Sequence, residues 1–375
     1  MHCSYPGQAL DSRTWADIYL GRLEANYHTL RAALPRQKFL GVVKANAYGH
    51  GAIPVARRLE ALGADYLAVA CLDEAMELRQ AGIRLPLLIL GYTDPRYAPL
   101  LAEQNLTQTI YDTGLAAALS AALLPGQRLR CHLKLDTGMS RLGFYCGEGA
   151  DFAPIAALNK LPGLEFEGVF THFSDADGSD EYTRWQLRRF QAAIDALAER
   201  GMRFTLRHCA ASAAALNYPD EAGFDMVRPG ILLYGHHPDE STRALLNVQP
   251  VMELKTRVVS LKELPAGTCV SYGRSYTLPA ARRIAVVPVG YGDGLMRLLS
   301  GRQDMLLHGR RVQQIGRVCM DMCMLDVTDC PAAIGDEVTV FGAALPLEEK
   351  AAAIGTIPYE LLCAINPRVP RVYHN

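Results

Sequence analysis

A lysine at the end of an apolar run is the first residue in the chain that could carry out chemistry. The segment GVVKANAYGHG, residues 41–51, passes through small and apolar residues to Lys44, and Tyr48 and His50 follow. A buried lysine is rare in proteins unless it is paired or chemically employed. Lysine amines form Schiff bases with carbonyl compounds, and that use would explain a lysine at such a position.

Further polar residues stand at the ends of the other apolar runs. Because the active sites of parallel barrels form where the carboxyl ends of the strands meet, we expect these side chains to converge. Four cations and two histidines in one place favour an anionic or electrophilic ligand, such as a carbonyl cofactor that bears a phosphate. The residues are Lys44, Tyr48, Lys134, Asp136, Arg141, His172, His208, Ser212 and Arg228.

The elements that must position these residues follow an alternating pattern. Eight short apolar runs occur between residues 38 and 235, and most are separated by amphipathic segments such as TRWQLRRFQAAIDALAER. This alternation predicts parallel strands that are covered by helices. The number of runs and the length fit a (β/α)8 TIM-like barrel. We therefore predict an α/β fold with a barrel over residues 12–245.

The pattern changes after residue 245. Short strand-like runs broken by Gly, Pro and Asp replace the helical segments, which are almost absent until PLEEKAAAI. This texture is typical of a smaller β domain. We predict a mostly-β C-terminal domain over residues 246–375, with residues 1–11 packing against it.

The composition excludes several classes of function. With 38 basic and 39 acidic residues and a net charge of −1, the chain has no basic face for nucleic acid or an anionic membrane. No run reaches transmembrane length and the N-terminus has no apolar secretory region, so we expect a cytoplasmic protein. The 10 cysteines show no C-x-x-C pair, so neither zinc nor another metal is expected.

Nine motifs together resemble the alanine racemase family, whose members bind pyridoxal phosphate. The motif VVKANAYGHG is similar to the family's cofactor-attachment segment, and the others follow in the family's order across nearly the whole chain. They are TWADIYLGRLEANY (14–27, similar to an N-terminal helix), HLKLDTGMSRLGF (132–144), THFSDAD (171–177), VRPGILLYG (227–235), VSYGRSY (270–276), PVGYGDG (288–294), VCMDM (318–322) and INPRVPR (365–371).

The resemblance implies two catalytic bases. Lys44 would hold pyridoxal 5'-phosphate as a Schiff base and act as the base on one face of the substrate, while Tyr272 would act on the opposite face. Racemisation removes the α-proton from one face and returns a proton to the other, so two opposed bases suit it. The reaction implied is the interconversion of L-alanine and D-alanine, which supplies D-alanine for peptidoglycan.

The resemblance also assigns binding roles. Arg228 would donate to the pyridine nitrogen, because an arginine stays protonated and cannot accept. Lys134 would be carbamylated and would orient Arg141, since a carbamate removes the repulsion between two cations. The other implied contacts are Tyr48, Ser212, Gly230 and Ile231 to the phosphate, His172 and His208 beside the cofactor, and Arg141, Met320 and Tyr291 toward the substrate.

Several of these residues also have a plainer interpretation. Tyr272 would be a half-buried strand tyrosine whose hydroxyl is hydrogen-bonded. Lys44 would then reach solvent from a strand end. His172 and His208 would serve in packing alone. Lys134 would remain unmodified and pair with Asp136.

Two positions depart from the family's pattern. Ala211 stands where an asparagine often precedes the phosphate-binding serine, which removes one polar contact. Pro367 stands where some alanine racemases carry a tyrosine, and a smaller residue there is found in racemases that accept serine. A hydroxyl is weakly discriminated in an apolar pocket, so a serine or broad-specificity racemase is the first alternative.

Two further alternatives differ in class. A barrel decarboxylase or aldolase would share the cofactor but would pair the pyridine nitrogen with an acid, which Arg228 opposes. A non-enzymatic pyridoxal-phosphate-binding protein would lack the β domain that carries Tyr272 and Met320. The resemblance further implies a homodimer in which these two residues complete the partner's site.

Overall fold

The computed structural model describes residues 13–375, and these form two compact units. The barrel unit comprises residues 23–47 and 52–248. The β unit comprises residues 48–51 and 249–375 together with 13–22 of the described N-terminal segment.

Eight parallel strands form the barrel unit. Backbone contacts close the ring between the strands Leu206–His208 and Met226–Val227. The Asp225 N–H donates to the Arg207 carbonyl, and Ala211 forms an isolated parallel β-bridge with Arg228. A further short strand, Phe144–Tyr145, pairs with the end of one barrel strand. The prediction of a TIM-like barrel is confirmed. In sheet order the strands are Met226–Val227, Lys38–Val42, Tyr66–Val69, Leu87–Ile89, Leu106–Ile110, Leu129–Asp136, Leu164–Phe170 and Leu206–His208.

Helices alternate with these strands, as the sequence pattern predicts. Several begin at a side-chain cap that satisfies a free N–H of the first turn: Asp112 caps Leu115, and Ser179 caps Tyr182. No helix in residues 13–375 is long and apolar enough to cross a membrane. The helices are Leu20–Ala33, Lys44–Tyr48, Ala52–Ala61, Leu72–Gln80, Ala98–Glu103, Thr113–Ala122, Ala153–Ala157, Asp180–Glu199, Ser212–Asn217, Pro219–Ala222 and Glu240–Leu245, with 3-10 turns at Pro95–Tyr97 and Leu158–Lys160.

The last barrel strand is shorter than its apolar run. Only Met226–Val227 is extended, although the run continues to residue 235. Pro229 has no N–H for a strand ladder, and the next residues fold into successive turns. In these turns the Leu233 N–H donates to the Gly230 carbonyl, and the pattern repeats for the two following residues.

A nine-stranded sheet forms the β unit. Its neighbouring strands are antiparallel except for one parallel pair, Thr14–Tyr19 with Arg371–His374. In sheet order the strands are Ser260–Leu264, Arg282–Val287, Cys323–Asp326, Arg310–Ile315, Asp304–Leu307, Glu337–Phe341, Met252–Arg257, Thr14–Tyr19 and Arg371–His374. The unit also contains the hairpin Cys269–Val270 with Tyr276–Thr277, the helices Leu347–Ile354 and Pro358–Cys363, and 3-10 turns at Tyr272–Arg274, Tyr291–Asp293 and Arg297–Leu299.

The N-terminal motif differs from its expectation as a helix. Thr14–Tyr19 is a strand paired on both sides, and the helix begins only at Leu20. The strand is rich in aromatic and β-branched residues, which favour extended backbone. Residues 13–22 thus belong to the β unit, although the predicted barrel begins at residue 12. The predicted packing of residues 1–11 lies outside the described residues.

The segment after the first barrel strand is a left-handed helical turn, Lys44–Tyr48. Ala45, Asn46 and Ala47 each have φ of 53° and Tyr48 has φ of 49°. For residues other than glycine this conformation costs about 1–2 kcal/mol each. Side chains hold the turn: the Ala45 N–H donates to Glu74 Oε1 at 2.7 Å, and Asn46 Oδ1 accepts from the Ala52 N–H at 2.8 Å. The surroundings therefore impose the conformation.

This strain predicts that glycine at position 45 stabilises the protein, whereas glycine within a right-handed helix usually destabilises it. Ala45 is exposed, so Ala45→Gly removes steric strain without leaving a cavity and should stabilise the protein by about 0.5–1 kcal/mol after the entropy cost of glycine. Ala45→Val should destabilise it by at least that amount. The midpoint of thermal unfolding measures both effects.

Ala192 supplies the control for this prediction. It is exposed in the right-handed helix Asp180–Glu199, where glycine should cost about 1 kcal/mol relative to alanine. If Ala45→Gly lowers the midpoint as Ala192→Gly does, the left-handed turn is not strained.

Candidate active site

Arg228 is a buried side chain at the carboxyl ends of the barrel strands, and it has several polar contacts. It is 4% exposed. Its Nη1 lies 2.8 Å from His208 Nδ1, and its Nη2 donates at 2.9 Å to the carbonyls of both Thr171 and Cys209. Nη2 also lies 3.2 Å from His172 Nδ1. Burial lowers the pKa of Arg228 to about 10, so the guanidinium remains charged at neutral pH.

Lys134 and Arg141 are the other basic side chains near Arg228. The Lys134 Nζ lies 4.7 Å from the centre of the Phe170 ring, and the Arg228 guanidinium lies 5.4 Å from that centre. Burial, with the charges of Arg228 and Arg141, holds the pKa of Lys134 well below its usual value, although Asp136 opposes the shift.

These cations lack an internal counter-ion. Among residues 13–375, no Asp or Glu forms an ion pair with Lys134, Arg141 or Arg228. Arg228 is buried in its charged form, and a buried charge without a partner is costly. A bound anion would offset that cost.

Asp136 does not pair with Lys134, which was the plainer alternative for this lysine. Its Oδ1 accepts the backbone N–H groups of Gly138, Met139 and Ser140 at 3.0–3.1 Å. The carboxylate thus orders the loop that follows the strand and leads to Arg141. Arg141 itself is exposed.

His172 and His208 are neutral in the barrel. Burial is the largest cause that holds the pKa of each imidazole well below its usual value, and the charge of Arg228 is the next. The charges of Lys134, Arg141 and Lys44 add to the shift of His172. His208 also stacks on the Phe170 ring, with the ring centres 4.8 Å apart. Both histidines contact Arg228, and their role beside a cofactor stays a prediction.

The predicted phosphate-binding residues of the barrel lie together. The Gly230 N–H donates to Ser212 Oγ at 3.0 Å, and both Ser212 and Ile231 are buried. Ser212 begins a short helix, and Gly230 and Ile231 lie in the turns that follow Arg228. A hydroxyl beside backbone N–H groups in turns is a chemistry that suits a phosphate.

Lys44 is half-buried and follows the strand Lys38–Val42 after one residue. Tyr48, at the end of the left-handed turn, falls in the β unit and is 7% exposed. Burial raises the pKa of its hydroxyl, so Tyr48 is a neutral donor.

Tyr359 is a neighbour of Tyr48 that sequence analysis missed. The two rings meet edge to face, with centres 5.8 Å apart. In the sequence, the tyrosine of the segment TIPYELLC was the signal that could have identified this neighbour.

Pro367, which suggested a roomier substrate pocket, lies on an exposed turn where the Val369 N–H donates to the Asn366 carbonyl. The effect of Pro367 on substrate choice stays a prediction.

Besides Tyr48, three predicted site residues belong to the β unit, and these three lie on exposed loops. Tyr272, Tyr291 and Met320 are 71%, 42% and 53% exposed. Backbone bonds join two of the loops, because the Tyr291 N–H donates to the Cys319 carbonyl at 3.0 Å and the Gly292 N–H donates to the Met320 carbonyl at 2.8 Å.

The Tyr272 loop is attached to the same group of loops. Ser271 Oγ donates to the Arg317 carbonyl at 2.7 Å. Ser271 and Arg274, on either side of Tyr272, have φ of 68° and 50°. Non-glycine residues held in this region of backbone space often mark functional loops.

A buried carboxylate that sequence analysis missed anchors the Tyr291 loop. Asp293 is 1% exposed, and its Oδ1 accepts from Arg13 and Arg368 at 2.8 Å each. Its Oδ2 accepts the Gly290 N–H at 2.9 Å. The side chain thereby fixes both ends of the 3-10 turn that presents Tyr291.

Comparisons with known proteins match this architecture along nearly the whole chain. Family models for the N-terminal and C-terminal domains of alanine racemase match residues 18–238 and 251–373. The alanine racemase of Desulforamulus reducens is 47% identical over 365 residues, which cover 96% of this chain and 98% of that protein. The alanine racemase of Desulfovibrio desulfuricans is 45% identical over 370 residues, covering 97% of this chain and 99% of that protein.

Solved structures agree. An alanine racemase from Clostridium difficile superposes with a TM-score of 0.91 at 39% identity, covering 97% of this chain and 96% of that one. The crystal structure of an alanine racemase from Bacillus anthracis with bound L-Ala-P gives a TM-score of 0.92 at 33% identity, covering 98% and 96%. Both domains of the family are present and in order, and the resemblance in the sequence is confirmed: the chain belongs to the alanine racemase family.

Proposed function

We propose that this protein is an alanine racemase that interconverts L-alanine and D-alanine with pyridoxal 5'-phosphate as its cofactor. The observation that carries the proposal is the group of buried basic side chains Lys134 and Arg228, with Lys44 nearby and no carboxylate paired to the first two. D-alanine would serve peptidoglycan synthesis. Action in the cytoplasm stays a prediction.

The residues present fit this cofactor. The Ser212 hydroxyl, next to the Gly230 N–H that donates to it and to the turn at Ile231, offers a site of donors that would suit a phosphate. Arg228 can only donate, so it would face the pyridine nitrogen as a donor and leave it unprotonated. When bound, pyridoxal phosphate withdraws electrons from the α-carbon of an amino acid and makes its α-proton acidic. Lys44 supplies the amine that would hold the cofactor covalently.

Lys44 and Tyr272 are the proposed bases. An amine must be neutral to take a proton, and nearby cations favour its neutral form. Lys44 would move the α-proton on one face of the substrate and the Tyr272 oxygen would move it on the other. Arg141 and the Met320 backbone would bind the substrate carboxylate, with Tyr291 lining the approach.

Tyr272, Tyr291 and Met320 expose much of their surface in the single chain, which supports a shared site in a homodimer. In that arrangement the loops of one subunit complete the barrel of its partner. A C2 interface requires both sites to be completed in the same way.

The carbamylation of Lys134 is part of the proposal. A neutral amine attacks carbon dioxide, an N–C bond forms, and one proton leaves from the nitrogen. Burial, with the charges of Arg228 and Arg141, holds the pKa of Lys134 well below its usual value and so favours the neutral amine. The resulting anion would accept hydrogen bonds from Arg141.

Deuterium exchange at the α-carbon tests the two-base assignment. Tyr272→Phe removes one base and should lower racemisation by about 100-fold or more. Exchange from the enantiomer that Lys44 serves should fall less than exchange from the other. Nuclear magnetic resonance of L- and D-alanine in deuterated water measures both rates, and Tyr276→Phe, two residues beyond the 3-10 turn, is the control.

L-serine in the same experiment distinguishes the alternative activity. Exchange of serine as fast as that of alanine would indicate a serine or broad-specificity racemase. No exchange with either substrate, in protein that holds the cofactor on Lys44, would exclude a racemase.

Mixing two inactive variants tests the shared site. Lys44→Ala and Tyr272→Phe subunits, unfolded and refolded together, should give heterodimers with one intact site and one doubly altered site. Random pairing then restores about a quarter of wild-type activity. Activity that stays at the sum of the separate variants, although heterodimers are detected by mass, would place both residues in one subunit's site.

Labelled carbon dioxide tests the modification of Lys134. Protein equilibrated with 13C-bicarbonate should show a carbamate carbon resonance that Lys134→Ala lacks. Racemase activity should fall in carbon-dioxide-free buffer and return when bicarbonate is added, because the amine reacts reversibly. Lys350→Ala is the matched control, since Lys350 is also buried with a pKa lowered by burial, to about 8. An unlabelled wild-type protein with full activity would contradict the assignment.

A further inference from the structure

A line of polar side chains runs through the barrel unit away from Arg228. His208 Nε2 lies 2.9 Å from His132 Nδ1. His132 Nε2 lies 3.4 Å from Glu167 Oε1, a close contact without hydrogen-bond geometry. The same carboxylate oxygen accepts from the Tyr66 hydroxyl at 2.6 Å. Arg228, His208, His132, Glu167 and Tyr66 thus form one continuous series.

The direction of every bond in this series is fixed by its two ends. Arg228 can only donate, so the His208 Nδ1 that faces it must carry a lone pair. A neutral His208 then has its proton on Nε2 and donates to His132 Nδ1. His132 is neutral as well, because burial lowers its pKa, and its proton is therefore on Nε2.

Glu167 is the acceptor that this arrangement requires. Although burial opposes ionisation, the His132 ring that faces Glu167 and the hydrogen bond from Tyr66 hold the pKa of Glu167 below its usual value. An ionised carboxylate only accepts, so it favours the His132 tautomer that points Nε2–H toward it. The opposite tautomers would set a His208 N–H against an Arg228 N–H.

The backbone is shaped to bring these two residues together. In the pairing of Leu129–Asp136 with Leu164–Phe170, Cys131 faces Phe166 but His132 faces Gly168, so Glu167 is the extra residue of a β-bulge. Bulges re-aim side chains and are frequent beside active sites.

Gly168 makes room for the imidazole. A Cβ at this position would lie 2.6 Å from atoms of the His132 ring. A larger residue at position 168 would displace the His132 ring without changing the Glu167 side chain.

We propose that Glu167 is a positioning residue for the active site: through His132 and His208 it fixes the imidazole tautomers that present a lone pair to Arg228. The carboxylate holds the guanidinium in place without touching it, as residues behind a metal-bound histidine orient that ligand. The expected effect on kcat rests on the proposed racemase function, whereas the expected histidine tautomers do not.

The first test is the tautomer of the two histidines in the folded protein. Long-range 1H–15N spectra of protein labelled with 15N-histidine distinguish protonated from unprotonated ring nitrogens. His132→Asn and His208→Asn assign the signals. Both histidines should carry the proton on Nε2 near neutral pH, with or without pyridoxal phosphate. A wild-type His208 with its proton on Nδ1 would overturn the proposal.

The second test separates the charge of Glu167 from its packing. Glu167→Gln keeps the shape but weakens the acceptor, and Gly168→Ala displaces the His132 ring. Each should shift the nitrogen resonances of His132 and His208 toward a mixture of tautomers. Each should also lower kcat about 10-fold with a smaller change in the KM for alanine.

Glu165→Gln is the matched control, because Glu165 is exposed on the same strand and pairs with Arg128. If Glu167→Gln lowers thermal stability but leaves the histidine resonances and kcat like those of Glu165→Gln, the role of Glu167 is structural only. Should Glu167→Gln not fold, the wild-type and Gly168→Ala spectra decide. Expected tautomers in a protein that does not racemise would contradict the proposed function and leave this inference intact.

Discussion

A buried guanidinium that can only donate is the constraint on which the barrel site depends. Arg228 has no carboxylate partner among residues 13–375, and the hydrogen-bond partners described for it are carbonyl oxygens and imidazole nitrogens. The carbonyls of Thr171 and Cys209 meet this demand at the ends of two strands. His172 and His208 meet it only while neutral, and the charge of Arg228 itself helps to keep them neutral. The cation thereby fixes the protonation of its own neighbours.

Backbone strain occurs at both places where a proposed base is attached. The left-handed turn begins directly after Lys44, and Tyr272 lies between residues of positive φ. Such conformations persist only where surrounding contacts over-determine them. At the first place Glu74 and Asn46 supply those contacts, and at the second Ser271 Oγ does. The strain is therefore matched by hydrogen bonds of the residues that adjoin each proposed base.

The sequence predicted the repeating parts of this fold better than its exceptions. Alternating apolar runs and helical segments predicted the barrel because each unit has its own local pattern. The strand Thr14–Tyr19 was missed since its partners are about 240 and 355 residues away and leave no local mark. The bulge at Glu167 and the contact of Tyr359 with Tyr48 depend on register and packing. Motif resemblance suggested Lys44 and Arg228, but it gave no information about what holds them.

The polar series from Arg228 to Glu167 contributes to the positioning of Arg228 more than to the stability of the barrel. Buried polar groups gain little net stability even when satisfied, and apolar side chains of similar volume would often be more stable. Their value is preorganisation: a donor fixed before the ligand arrives does not have to be reoriented during the reaction. Such a series works only if each member has a defined direction, because one reversed imidazole would leave two donors facing each other. The carboxylate at one end of the series only accepts, and the guanidinium at the other end only donates. Together they allow one direction alone for the hydrogen bonds of the two imidazoles between them.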